Sequence, residues 1–278
     1  MTLFQRPGAK LTFYPEAPDW NGRTMAVAKQ KFESVAAGTA LLEEIIVHAR
    51  NAGAKALIGP MEGDTWHTYR LITETSNRPP FLMEPVSEEY DLAAFQAAGF
   101  ETIASYFSAD VHLDRLGDQL NNPPGGLKVA HWDGEDPEAL FVEVHRLSHK
   151  AFSKNPFFKP LDLDVFLGMY MPLVPLLRPE LILFARDHDN ALQGFLFGVP
   201  NYAEGPKPAA TILKTYASLK KGAGHQLSTQ FYRASLALGY QTVIHALIHD
   251  DNLSALRSAA NGAHTFRRYA LMGRRLDD

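Results

Sequence analysis

The chain contains no cysteine. Disulfides, thiolate metal sites and a cysteine nucleophile are therefore excluded. Charge of one sign is not in surplus either: the net charge is −4 and the pI about 6.3. Nothing in that balance favours nucleic acid or an anionic membrane surface. Long uninterrupted apolar runs are missing. The most apolar stretch, "VFLGMYMPLVPLLRPELILFA" from Val165, is broken by Pro172, Pro175, Arg178 and Pro179, which argues against a membrane span. "MTLFQRPGAKLTF" holds no apolar core of signal-peptide length, so a cytoplasmic location is expected.

What is present is ordinary globular material, with 46% hydrophobic and 21% charged residues over 278 positions. That length fits one large or two medium domains. One stretch stands out, "TYASLKKGAGHQLSTQFYRASLALGY" from Thr215 to Tyr240. A β-branched and aromatic run meets two lysines, then Gly222-Ala223-Gly224, then a helical pattern. Leu227, Phe231, Ala234 and Leu238 share one helix face, and Gly239 supplies a C-terminal stop. Glycines at a helix entrance let an anion approach the unpaired N–H groups of the first turn, where the dipole is positive. Lys220 and Lys221 add charge beside them. The turn fits neither the Walker pattern, which needs Gly-Lys-Ser/Thr, nor the dinucleotide fingerprint, since Leu227 stands at the third glycine.

The pattern occurs twice. In "SVAAGTALLEEIIVHARNAGAKALIGP" from Ser34, Gly38 and Gly53 are spaced as Gly224 and Gly239 are. "TMAVA" from Thr24 stands where "ATILK" from Ala210 stands. "GFETIASY" from Gly99 resembles "GAHTFRRY" from Gly262. An internal duplication is expected, with a first half at 1–118, a linker at 119–126 around "NNPPGG", and a second half at 127–278. The second half reads β-α-α-β-β-β-α-β-α-β. Asp136 and Pro137 open its first helix, and a hairpin turns at Asp187–Asn190. A hairpin feeding a β-α-β crossover implies an α/β (α+β) fold, with a mixed twisted sheet flanked by helices.

That order, with Leu219-Lys220-Lys221-Gly222-Ala223-Gly224 against the pattern Gln/Arg-x-x-Gly-x-Gly/Ala, resembles the GNAT superfamily of acyl-CoA-dependent N-acyltransferases. Leu219 departs from the usual Gln or Arg. "HDDNLSALRSAANGA" resembles the family's Asn-containing helix, with Asn252 at the asparagine. The resemblance spans about Leu127 to Leu276 and recurs, weaker and incomplete, from about Thr24 to Val111, as in a tandem GNAT protein with a degenerate first half.

The resemblance implies acetyl-CoA or another acyl-CoA as co-substrate, a small-molecule amine as acceptor and no metal. It implies that Thr215, Tyr216 and Ala217 pair with the pantetheine arm. The N–H groups of Lys221, Gly222, Ala223, Gly224 and His225 would meet the diphosphate, and Asn252 the pantetheine region. The family's tyrosine acid falls at Ala259, so Tyr216 and Tyr269 stand as substitutes, with Tyr202 a further candidate. His249 is the candidate base, on the same strand face as His245. The acceptor pocket is expected from Asn155, Phe157, Phe158 and Tyr202, in a monomer or homodimer. A silent CoA-binding or scaffolding protein and a nucleotide-binding module are the competing readings.

Overall fold

The computed structural model describes residues 1–76, 78–121 and 126–276. A hairpin opens the chain: β1 (Thr2–Arg6) and β2 (Ala9–Tyr14) turn at Gly8, whose φ of 73° suits glycine. β3 (Thr24–Phe32) lies antiparallel to β2, and α1 (Val35–Asn51) crosses over to β4 (Ala56–Gly59), parallel to β3. β5 (Leu71–Thr75), α2 (Asp91–Ala97) and β6 (Glu101–His112) follow.

The later elements keep the order read from the sequence. They are β7 (Lys128–His131), α3 (Pro137–Phe152), α4 (Leu163–Tyr170), β8 (Ile182–Arg186), β9 (Leu192–Pro200), β10 (Ala210–Ser218), α5 (Ala223–Ala237), β11 (Thr242–His249), α6 (Leu253–Ala260) and β12 (His264–Arg275). Local chemistry explains several boundaries. The Asp136 carboxylate accepts the Ala139 N–H at the entrance to α3. Asp187 Oδ1 accepts from the N–H groups of Asp189 and Ala191, which closes the β8–β9 turn.

The chain forms two compact units that do not follow it linearly. Unit 1 is residues 1–107, 156–159 and 267 onward; unit 2 is residues 108–155 and 160–266. The sequence places the division at 119–126, whereas the units interleave. β12 joins unit 1 because Met272 pairs with Gly59 and Arg275 with Ala56, and because Arg267 to Ala270 pair with β5. Val111, Leu113 and Leu116 lie before that linker, yet they bury themselves in the core of unit 2. Gly117–Leu120 form a 3-10 turn, and residues 122–125 of the linker lie outside the described residues.

In unit 1, strands run β1-β2-β3-β4-β12, and Leu41, Leu42 and Ile45 of α1 bury against Leu11, Val27 and Leu57. In unit 2 they run β11-β10-β9-β8-β7, and Leu227 and Phe231 of α5 pack with Leu183, Leu196 and Val243.

The two strand–helix–strand segments agree in detail. Thr24, Met25 and Ala26 pair with Ala56, Leu57 and Ile58; Ala210, Thr211 and Ile212 pair with Thr242, Val243 and Ile244. The register is the same once one constant offset is applied. The helix ends agree as well. Gly53 and Gly239 have φ of 80° and 86°, and the next residues, Ala54 and Tyr240, donate to Ala49 O and Ser235 O. α2 and α6 end alike, with Gly99 and Gly262 at φ 76° and 70°.

Candidate active site

β10 and β11 pair in parallel only from Ala210–Leu213 against Thr242–His245. Past that point β10 stays with β9 through Ser218, after a register shift at Lys214. β11 turns aside at Leu247, which has a φ of 57° and donates its N–H to Ser108 Oγ. The strands therefore part like a wedge. The backbone edge of Thr215, Tyr216 and Ala217 that would face β11 has no strand pairing there among the described residues. The kink at Leu247 also interrupts the alternation that put His245 and His249 on one face.

The wedge opens onto the first turn of α5. Ala223 and His225 already donate their N–H groups, to Lys220 O and Gly222 O, whereas those of Lys221, Gly222 and Gly224 make no backbone bond among the described residues. Of the five N–H groups expected to meet a diphosphate, these three are available and those of Ala223 and His225 are engaged. No side chain caps this helix. In unit 1 the matching helix α1 is capped, with Ser34 Oγ accepting from Ala37 N–H.

The two glycines serve different needs. Gly222 holds φ 90°, a left-handed conformation that strains other residues. Gly224 has an ordinary backbone but no room: a β-carbon there would stand 2.7 Å from Arg257 Nη1, 3.0 Å from Tyr216 Cε2 and 3.6 Å from Ser218 Oγ. The Tyr216 hydroxyl faces Arg257 and Ser254 of α6. Burial holds that hydroxyl above its usual pKa, against the opposing pull of Arg257. Burial and then Arg257 lower the His225 imidazole. Lys220 and Lys221 are exposed.

The other expected residues are scattered. Asn252 caps α6, its side chain accepting the Ser254 N–H at 3.3 Å. His249 ends β11 and accepts the Asp251 N–H at Nδ1. Tyr269 lies in unit 1, 1% exposed, with its hydroxyl donating to Glu84, which also pairs with Arg267. Phe157 and Phe158 belong to unit 1, where Phe158 meets the ring of Trp66 edge-on at 6.0 Å. Asn155 and Tyr202 belong to unit 2, the latter in a 3-10 turn at 36% exposure.

Sequence reading missed the buried network around His245. Its Nε2 lies 2.9 Å from the Tyr232 hydroxyl and its Nδ1 2.8 Å from Ser258 Oγ, while Asn261 donates to the Tyr232 oxygen. The hydrogens fit when Tyr232 donates to Nε2 and Nδ1–H donates to Ser258. Burial drives the imidazole pKa down to about 4 and the Tyr232 hydroxyl upward. Arg257 was missed too; its only signal was a cation in the last turn of a short helix. Among the described residues no cluster of three or more potential ligands could hold a metal, and no helix is long and apolar enough to cross a membrane.

No protein-family profile and no curated protein sequence matches the chain. Solved structures do. A GCN5-related N-acetyltransferase from Sphaerobacter thermophilus superposes with TM-score 0.58 at 13% identity, covering 97% of this chain and 77% of that one. A tandem GNAT protein from the clavulanic acid biosynthesis pathway, solved without AcCoA, gives 0.56 at 17% identity, over 97% and 79%. A GCN5-related N-acetyltransferase from Anabaena variabilis gives 0.56 at 11% identity, and this chain spans 60% of its length. The β-α-α-β-β-β-α-β-α-β order, the parted parallel strands and these likenesses agree: the chain has the fold of the GCN5-related N-acetyltransferases.

Proposed function

We propose that unit 2 binds acetyl-CoA, or another acyl-CoA, and passes the acyl group to the amine of a small-molecule or amino-acid-like acceptor. The observation that carries this reading is the uncapped first turn of α5 at the mouth of the wedge between β10 and β11. Gly224 there has been kept free of a side chain. Under this reading the N–H groups of Lys221, Gly222 and Gly224 receive the diphosphate, and the open edge of Thr215–Ala217 receives the amides of the pantetheine arm. Asn252 stands beside that arm at the start of α6.

The bound acyl-CoA supplies a thioester carbon open to direct attack. The chain's task is to hold the acceptor nitrogen against it and to accept the proton that nitrogen sheds. His249 is the candidate base, at the strand end where the wedge is widest. Neither tyrosine fits the role of acid. The Tyr216 ring fills the space a β-carbon at Gly224 would need and so belongs to the diphosphate end, and Tyr269 is committed to Glu84. A thiolate with a pKa near that of a free thiol, about 8.5, needs no dedicated acid and can take its proton from water.

Unit 1 reads as the degenerate copy of a duplication. Its matching helix is capped by Ser34, and a β-carbon at its matching glycine, Gly38, would stand 2.7 Å from the Phe32 ring and 2.8 Å from the Ala94 methyl. Ala259 at the family's tyrosine position favours a second reading, a silent CoA-binding protein.

Calorimetric titration with acetyl-CoA tests the proposal, with Gly222→Glu and Gly224→Glu as controls. Micromolar binding to the wild type, lost in both variants, is the expected result. No binding to the wild type refutes it. Binding without thiol release against any amine selects the silent reading.

A further inference from the structure

We infer that Ser108 is a positioning residue of unit 2: its hydroxyl captures the Leu247 N–H and so keeps β11 turned away from β10. The role rests on the acyl-CoA reading, because the space it keeps open is the edge of Thr215–Ala217. Leu247 has a φ of 57°, a left-handed conformation that a bulky side chain rarely adopts. Such a residue stays there only where its surroundings hold it. The hold is visible. Ser108 Oγ accepts the Leu247 N–H at 3.0 Å. Ser108 lies on β6 and is fully buried, at 0% exposure. A hydrogen bond made away from water is costly to leave unmade.

Unit 1 shows the alternative within the same chain. The register that matches Thr24–Ala26 to Ala210–Ile212 also matches Val27 to Leu213 and Met61 to Leu247. The Met61 N–H does not turn away. It donates across the strand pair to Val27 O at 2.8 Å. The side chain beside it differs as well. Counted from Gly99 and Gly262, which end α2 and α6 alike, the residue matching Ser108 is Leu271, buried and with no acceptor to offer.

The same amide is thus turned to opposite sides in the two units. Where leucine stands, the strand stays bonded to its parallel neighbour. Where serine stands, the strand leaves it. Without the Ser108 oxygen the Leu247 N–H would turn to Leu213 O of β10, as Met61 turns to Val27 O of β3. β11 would then lie along Thr215–Ala217 and occupy the edge proposed for the pantetheine amides.

The test compares the wild type, Ser108→Ala and Ser108→Ala/Leu247→Gly by NMR and calorimetry, with circular dichroism to check folding. In the wild type an NOE should join the Leu247 amide proton to Ser108 Hβ, and the Leu247 amide–Hα coupling should report a left-handed residue. In Ser108→Ala that NOE should give way to one with Leu213 or Lys214 of β10, and the coupling should move into the strand range. Pantetheine affinity should fall about 10-fold, the size of one ordinary hydrogen bond. Inorganic diphosphate, which needs only the α5 turn, should bind as before. Glycine takes a left-handed φ without strain, so the double variant should recover pantetheine binding. An unchanged Leu247 coupling in Ser108→Ala overturns the inference. So does an equal loss of pantetheine and diphosphate, the mark of a merely structural role. Should Ser108→Ala not fold, Ser108→Cys decides by the same signals, since its sulfur is a weak acceptor. A Leu247 that moves as expected, in a protein whose wild type binds neither pantetheine nor acetyl-CoA, upholds the Ser108 hold and sinks the acyl-CoA reading.

Discussion

Acid should loosen unit 2 through one residue, His245. Its imidazole is 3% exposed and bonded on both nitrogens to groups that suit the neutral ring. Burial places its folded pKa at about 4, against 6.5 for a free histidine. Between those values the unfolded chain takes up a proton that the folded chain refuses. The stabilisation is therefore complete above about pH 7 and is lost as pH falls from 6.5 toward 4. The whole gap corresponds to about 3 kcal/mol, of which about 2 kcal/mol falls between pH 7 and pH 5. Urea unfolding at both pH values, for the wild type and His245→Gln, isolates this contribution from the other histidines. The wild type should lose about 2 kcal/mol more than the variant on acidification. An equal loss in both proteins, or a His245 titration near 6.5 by NMR, would refute the reasoning.

Three further outcomes follow from the packing. Gly222→Ala should cost about 1 kcal/mol through its positive φ; Gly224→Ala should change the denaturation midpoint less, because the nearest atom it meets is the far end of the long Arg257 side chain, yet weaken CoA binding more. Gly198→Ala drives a β-carbon to 2.0 Å from the Phe231 ring in the core of unit 2, so stability should drop by about 3 kcal/mol in chemical denaturation. Tyr269→Phe removes the donor to the buried Glu84 carboxylate and should cost about 1–3 kcal/mol of unfolding free energy, with acetyl-CoA affinity intact, because Tyr269 lies in unit 1.

The elements of the second half were legible because each carries its own punctuation. Asp136-Pro137, the Asp187–Asn190 turn and Gly239 are local signals, and local signals survive in a sequence. The recurring strand–helix–strand pattern was legible for the same reason: Gly53 and Gly239 recur because a left-handed helix end demands them. Arg257 and the His245 network were not legible, because their roles come from neighbours far along the chain. Arg257 comes to stand beside Gly224, and His245 to bond Tyr232 and Ser258, only once the chain is folded. Tyr269 was hard to read for the opposite reason: a tyrosine on a final strand looks available until Glu84, distant in sequence, accepts its hydrogen bond. The interleaving of the units lay beyond pattern reading, since a strand's composition does not say which edge it will join.

That interleaving sets an order of assembly during synthesis. Unit 1 receives its first 107 residues early, yet β4 waits for residues 272–275 to pair with its free edge, and its core waits for Ala270, Met272 and Leu276. Unit 2 is complete by residue 266. The portion made first is thus finished last, and until then it presents an unpaired strand beside an open apolar face, the combination most prone to wrong pairing. A ribosome paused shortly before β12 would hold a nascent chain whose second unit can close while its first cannot.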